Sequence, residues 1–141
     1  MLYRATLADC KLLAAIHAAA CAGTDAWSPD VFSLQLALPN VFGLLYSSCG
    51  MILVRVAADE AEILTLAVIP NLRRGGIGGM LLHEATTCAV TMGVRTVFLE
   101  VSVANITARQ LYTRAGFIQA GLRPHYYSDH SDALVLRLDL D

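Results

Sequence analysis

A strong net charge is the first thing this sequence lacks. Ten basic residues stand against twelve acidic ones, a net charge of −2, so no basic footprint for nucleic acid is present. Charged residues of both signs make up only 16% of the chain, whereas 56% of it is hydrophobic. That apolar excess does not form a membrane span. The longest uncharged run, between Asp30 and Arg55, is interrupted by Gln35, Pro39, Asn40, Ser47 and Ser48, and a span needs about twenty consecutive apolar residues. No signal peptide is expected, because Arg4 and Asp9 come too early for a long apolar region after Met1. Cys10, Cys21, Cys49 and Cys88 have no Cys-x-x-Cys spacing. They read as small core residues in a reducing cytoplasm, not as a catalytic thiol or a metal site. Repeats, linkers and low-complexity tracts are absent too, and 141 residues suit one domain spanning 1–141.

What is present is organised around Leu66 to Leu82. An apolar strand ends near Val68, because Pro70 has no N–H to give a ladder. Then come Gly75, Gly76, Gly78 and Gly79, leading into a helix. Glycine lets backbone approach a ligand, and a helix N-terminus presents free N–H groups and a positive dipole end. The combination reads as a phosphate cradle. A P-loop is excluded, since no Lys lies near these glycines. A dinucleotide fingerprint starting at Gly76 and Gly78 fails because position 81 is Leu. Arg73-x-x-Gly76-x-Gly78 fits a third pattern, Arg/Gln-x-x-Gly-x-Gly/Ala. A ligand-free glycine-rich connection is the plain alternative.

Along the chain, Leu2 to Ala5 suits a short strand, and Thr6 with Asp9 an N-terminal capping box. Leu12, Leu13, Ile16, Ala19 and Ala20 recur at helical spacing, with His17 expected at the surface of that helix. Gly23 to Asp25 should break it. Ser28 as N-cap and Pro29 at the first helical position start another helix, stopped by Pro39. Trp27 and Phe32 are either core anchors or walls of a substrate groove. Strands are expected at 41–47, 51–58 and 62–68, antiparallel to one another. In the helix after the glycines, Ile77, Leu81, Ala85, Cys88 and Met92 form an apolar stripe, and Gly93 ends it. Thr96 to Val101 is a buried strand that should lie parallel to the one ending at Val68, because a helical crossover joins them. Within it, Glu100 stands out, since a carboxylate among apolar neighbours is costly unless paired or functional. Asn105 to Ala115 is helical, with Tyr112 on the flank shared with Asn105 and Ala108. Strands at 117–122 and 133–140 end the chain, around a polar loop that holds Tyr126 and Tyr127.

The motif at Arg73, Gly76 and Gly78 resembles the pyrophosphate loop of the GCN5-related N-acetyltransferases. The element order matches that superfamily over nearly the whole chain. Further shared residues are Trp27-Ser28 with Phe32, Leu99-Glu100-Val101, Asn105, Leu111-Tyr112, Gly116-Phe117, and Arg123 followed by Tyr126-Tyr127 and Asp132-Ala133. The Leu-Glu-Val strand and the Arg-x-x-Tyr-Tyr ending resemble the branch that acetylates protein N-termini, notably the N-terminal alanine of ribosomal proteins. Gly75 and Gly79 depart from the pattern, where longer polar residues are usual, and so does Ile69, where an acidic or polar residue is common.

The resemblance implies an α+β, three-layer fold, with a mixed and mostly antiparallel sheet and helices on both faces. It implies acetyl-CoA as donor, a protein N-terminus as acceptor, cytoplasmic location, and no metal, nucleic acid or membrane partner. The backbone of Leu66, Ala67 and Val68 would pair with the pantetheine arm and thioester. Arg73, Arg74, Gly75, Gly76, Ile77, Gly78 and Gly79 would hold the pyrophosphate, and Asn105 would bind the cofactor too. Glu100 would be the base and Tyr112 the acid. Trp27, Phe32, Arg123, Tyr126 and Tyr127 would bind the acceptor.

The chemistry agrees from below. An α-amine with pKa about 8 is mostly ammonium at neutral pH and needs a proton acceptor. A carboxylate in a partly desolvated strand can take that proton directly or through water. A phenol can return one to the leaving thiolate, and direct transfer needs no enzyme nucleophile. The competing readings are an ion pair of Glu100 with Arg95, Arg109 or Arg123, a plain helix aromatic at Tyr112, and a packing role for Tyr126 and Tyr127. For the whole chain they are a lysine or small-amine acceptor, or a non-catalytic acyl-CoA-binding module.

Overall fold

Local signals start most elements where they fall. In the computed structural model, which describes residues 1–20, 26–73 and 75–140, Thr6 and Asp9 close a capping box on a short 3-10 turn at Leu7–Asp9. That turn leads into α1 (Cys10–Ala20). The expected break at Gly23 to Asp25 lies outside the described residues, as does Cys21. Ser28 caps α2 (Pro29–Leu36), its Oγ accepting from the Val31 N–H, with Pro29 in the first turn. The strands β1 (Leu2–Arg4), β2 (Val41–Tyr46), β3 (Gly50–Ala57) and β4 (Glu60–Val68) lead to α3 (Ile77–Thr91). Then follow β5 (Thr96–Ser102), α4 (Ile106–Arg114), β6 (Ile118–Arg123) and β7 (Ala133–Asp139).

The strands form one sheet in the order β1-β2-β3-β4-β5-β7-β6. Only β4 and β5 are parallel; the other described pairs are antiparallel. This is the mixed sheet with helices on both faces that the sequence predicts. On one face, α3 and Tyr112 of α4 pack over a core that includes Ile52, Val54, Leu81, Leu82, Val97 and Leu99. On the other, α1 and α2 pack over Val41, Leu45, Met51, Leu53 and Ala67. That second layer leaves β5, β7 and β6 uncovered. The apolar stripe of α3 is centred on Leu81, Leu82, Ala85 and Ala89, while Met92 is exposed where the helix ends.

Two details of β4 position everything that follows. Val54 pairs with Ile63 and Leu53 with Thr65, so Leu64 is an extra residue, a β-bulge. A bulge shifts the side-chain alternation by one. Ala61 and Ile63 face α3; beyond the bulge Leu66 and Val68 do so, and Ala67 faces α1 and α2. At the same place β4 leaves its parallel neighbour. The β4–β5 ladder runs from Glu60↔Thr96 to Ile63↔Leu99 and ends there.

Candidate active site

The split between β4 and β5 opens a cleft of about 580 Å³. Its walls are Leu66, Ala67 and Val68 of β4, the glycines opening α3, and one flank of α4. The edge of Leu64 to Val68 that faces away from β3 has no strand beside it among the described residues. It therefore offers backbone donors and acceptors to an extended ligand.

The end of the cleft is made of bare backbone. Gly76, at φ 81°, is the left-handed residue preceding α3. The first helical bond in α3 runs from the Met80 N–H to the Gly76 carbonyl, so helix geometry leaves the preceding amides without an intrahelical acceptor. At Gly78 a Cβ would lie 3.2 Å from Leu111 Cδ2 and 3.9 Å from Val68 Cγ2, in the throat of the cleft. An added side chain there would fill the space in which backbone meets a ligand, so the residues fit a diphosphate.

The side chain of Arg73 does something other than expected. Its Nε donates to the Val68 carbonyl at 3.1 Å and its Nη2 to the Ala20 carbonyl at 3.2 Å. It straps the end of β4 to the end of α1 at the cleft rim, so its guanidinium is engaged by backbone carbonyls. Arg74 lies outside the described residues. Asn105 lines the cleft and caps α4, its Oδ1 accepting from the Ala108 N–H at 3.2 Å.

Tyr112 reaches the cleft from α4 and is only 6% exposed. The plain alternative, a hydroxyl at the surface, does not hold. Its ring meets Phe117 edge-on at 5.7 Å. Burial raises its pKa above the ordinary phenol value, with the nearby Tyr127 adding to the rise, so it keeps its proton.

Glu100 points through the other face of the sheet, since Val97, Leu99 and Val101 on either side of it face α3. It lines a second cavity of about 390 Å³ with Glu62, Phe98, Arg123 and Val135, on the face that α1 and α2 leave bare. Its side chain is 18% exposed. Of the three candidate arginines, Arg123 pairs with it, Nε to Oε2 at 2.6 Å, while Arg109 donates to the Val103 carbonyl. The Arg123 N–H is aimed off the line to that oxygen, so buried Oε2 keeps an ion-pair contact without a hydrogen bond. A carboxylate held so still has an acceptor to offer.

Glu100 and Tyr112, the expected base and acid, therefore line different cavities that share no lining residue. The β6–β7 loop, residues 124–132, links them. Arg123 lies 5.4 Å over the Tyr126 ring, and Tyr126 meets Tyr127 edge-on at 5.1 Å. Ser131 anchors the loop to β5 through Ser102, their hydroxyls 2.8 Å apart.

The expected single groove between Trp27, Phe32 and these tyrosines is not what lines either cavity. Phe32 is 0% exposed. It is a core residue, so of its two readings the core anchor holds and the substrate-wall role is corrected. Trp27 is half-buried beside it, centroids 5.3 Å apart. His17, expected at the surface, is buried, and its Nδ1 accepts the Trp27 N–H at 3.0 Å.

A cleft split into a parallel strand pair, a glycine-opened helix at its end and a carboxylate on the far face belong together in one class. The chain belongs to the acetyltransferase (GNAT) family, whose model matches residues 19–117. It is thus an N-acetyltransferase. Among known proteins, it is 36% identical over 143 residues to the N-alpha-acetyltransferase RimI of Mycobacterium tuberculosis, covering 95% of this chain and 89% of that one. It is 38% identical over 89 residues to the [ribosomal protein bS18]-alanine N-acetyltransferase of Salmonella typhimurium, a match covering 61% of this chain and 60% of that protein. The crystal structure of the ribosomal-protein-S18-alanine N-acetyltransferase from Escherichia coli superposes with a TM-score of 0.86 at 29% identity, covering all of this chain and 95% of that one.

Proposed function

We propose that this chain transfers an acetyl group from acetyl-CoA to the α-amine of a protein N-terminus, with the N-terminal alanine of a ribosomal protein as first acceptor. The names of its relatives in Salmonella and Escherichia support that acceptor, the name of the Mycobacterium relative supports an α-amine, and such an acceptor goes with a cytoplasmic setting. The observation that carries the reading is the split after Ile63↔Leu99. It puts an unpaired strand edge and a free helix N-terminus on one side of the sheet, and a carboxylate with a free acceptor on the other.

Acetyl-CoA, when bound, supplies a thioester carbonyl open to attack by an amine. The edge of Leu66 to Val68 would hold its extended amide-bearing arm, and the amides opening α3 its diphosphate. Asn105, whose Oδ1 is used in the cap, has its Nδ2 to donate. Glu100 takes the ammonium proton of the acceptor, with Arg123 holding the carboxylate in place. A backbone N–H near Val68 is suited to stabilise the oxyanion, and Tyr112 gives its proton to the departing thiolate.

Matched peptides test the acceptor. One begins with a free Ala and has no lysine; the other is blocked at its N-terminus and carries an internal Lys. At neutral pH an α-amine of pKa about 8 has roughly 200 times the free-base fraction of a lysine of pKa about 10.4. CoA release, with mass spectrometry locating the acetyl group, should strongly favour the free Ala. Faster acetylation of the internal Lys would move the assignment to side-chain amines. Acetyl-CoA binding without CoA release from either peptide would make the chain a binding module.

A further inference from the structure

The free edge of β4 is not equally free along its length. In an antiparallel pair, residues alternate. Those in a hydrogen-bonded pair give both backbone groups to the partner strand, and those between aim both away from it. The Ile69 N–H donates to the Cys49 carbonyl at 2.9 Å. The register that continues from there pairs Val68 with Gly50, Ala67 with Met51 and Leu66 with Ile52. Ile69 and Ala67 therefore face β3, while Leu66 and Val68 turn their N–H and C=O groups toward the cleft.

One of those groups is already taken. The Val68 carbonyl accepts from Arg73 Nε at 3.1 Å. The guanidinium is also held at its far end, where Nη2 donates to the Ala20 carbonyl at 3.2 Å. Ala20 ends α1, and the carbonyls of a last helical turn have no partner within the helix. Leu66, Val68, Arg73 and Ala20 all line the cleft. Among the described residues, no strand takes the other outward groups. Leu66 thus has a donor and an acceptor to offer, and Val68 a donor alone.

That asymmetry matches the arm of acetyl-CoA group by group. An amide carries an N–H and a C=O, so it suits Leu66, which presents both. A thioester carries a carbonyl and no N–H, so it suits Val68. An amide shifted along the edge to Val68 would bring its N–H to a carbonyl that a cation already holds, and an unpaired donor is costly. We infer that Arg73 sets the register of the donor. By capping the Val68 carbonyl it leaves the end of the edge with a donor only, so the thioester carbonyl comes to rest on the Val68 N–H. Arg73 is then a positioning residue that acts through Val68. This rests on the acetyl-CoA reading above.

Arg73→Gln and Arg73→Met separate the cap from the charge. Gln carries its Nε2 as many bonds from Cα as Arg carries Nε, so it keeps the donor to Val68. It loses the charge and the reach to Ala20. Met keeps an unbranched stem and has no donor. The test reads turnover with an Ala-initiated peptide, and ADP affinity by calorimetry, since ADP has the diphosphate without the arm. It also reads the infrared band of the thioester carbonyl in bound, isotope-labelled acetyl-CoA. A hydrogen bond from Val68 lowers that band relative to free acetyl-CoA. Arg73→Met should lose about 10²-fold in kcat, the scale of a misplaced reacting group or a lost oxyanion donor. Its band should move back toward the free position. Arg73→Gln should recover most of the turnover and the lowered band. ADP should bind both variants within about twofold of wild type.

Wild-type turnover in Arg73→Met would overturn the inference, as would equal losses in the two variants. A loss of ADP affinity of about tenfold or more in both would make Arg73 a phosphate ligand and overturn it too. If Arg73→Met does not fold, Arg73→Gln decides: a lowered band with most of the turnover supports the cap, and loss of either overturns it. Failure of the acetyl-CoA reading looks different. The wild-type chain then binds neither acetyl-CoA nor ADP, and the inference falls with it.

Discussion

From Glu60 to Ile63, β4 is paired with β3 on one side and β5 on the other; from Leu64 to Val68 it keeps β3 and loses β5. The closed end is sealed by side chains. Ala61, Ile63, Val97 and Leu99 are buried under α3. The open end leaves backbone groups and the cleft beside them, while the cavity that Glu100 lines lies beside Glu60, Ala61 and Glu62 of the closed end. The bulge at Leu64 marks the change. A strand can thus be scaffold over its first half and binding surface over its second, with one unpaired residue separating the two.

Leu99 and Glu100 sit side by side at the boundary and face opposite ways, so they break the comparison in different currencies of measurement. Leu99→Ala, at a position 2% exposed, should lower stability by about 2 to 5 kcal/mol in denaturant unfolding. A loss well under that would mean the closed end is not the scaffold. Glu100→Gln should leave the melting curve and acetyl-CoA affinity nearly unchanged. Turnover at neutral pH should fall about 10²-fold, because the amide keeps the shape but cannot take the proton. Unchanged activity across about pH 6 to 9 would make Glu100 a structural partner of Arg123 and nothing more.

Gly78→Val probes the end of the open half. Its side chain would meet Leu111 and Val68 in the throat of the cleft. Acetyl-CoA affinity by calorimetry should fall more than about tenfold while the fold survives. Retained affinity would reject the cradle. The smallest effect is expected for Tyr112→Phe. Removing one hydroxyl should change stability by less than about 1.5 kcal/mol. Turnover should fall by no more than about tenfold, since a thiolate of pKa near 8.5 leaves with modest help. Wild-type turnover in that variant would remove Tyr112 from the reaction.

The parts of this comparison legible in the sequence are those with local causes. Pro70 announces the end of β4, the glycines announce a helix opened by backbone, and the crossover dictates the parallel pair. Gly93 and Gly116 follow α3 and α4 with positive φ, as expected of helix ends. The bulge at Leu64 has no such mark, because the apolar run from Ile63 to Val68 reads alike with or without it. His17 and Phe32 were hidden for a related reason. Their burial depends on α1 and α2 meeting, and the partner of His17 is a backbone N–H ten residues away. For Glu100 the sequence narrows the partner to three arginines, and only the β6–β7 register selects Arg123.

The most direct test of the split seam is hydrogen exchange on β4, with and without CoA. In the free protein the amides of Glu60 to Ile63 should already be protected by both neighbours, and those of Leu64 to Val68 that face away from β3 should exchange quickly. CoA should slow the second group and leave the first unchanged. If CoA protects neither Leu66 to Val68 nor the amides opening α3, the open half of the seam is not where the donor lies, and the account is wrong at its centre.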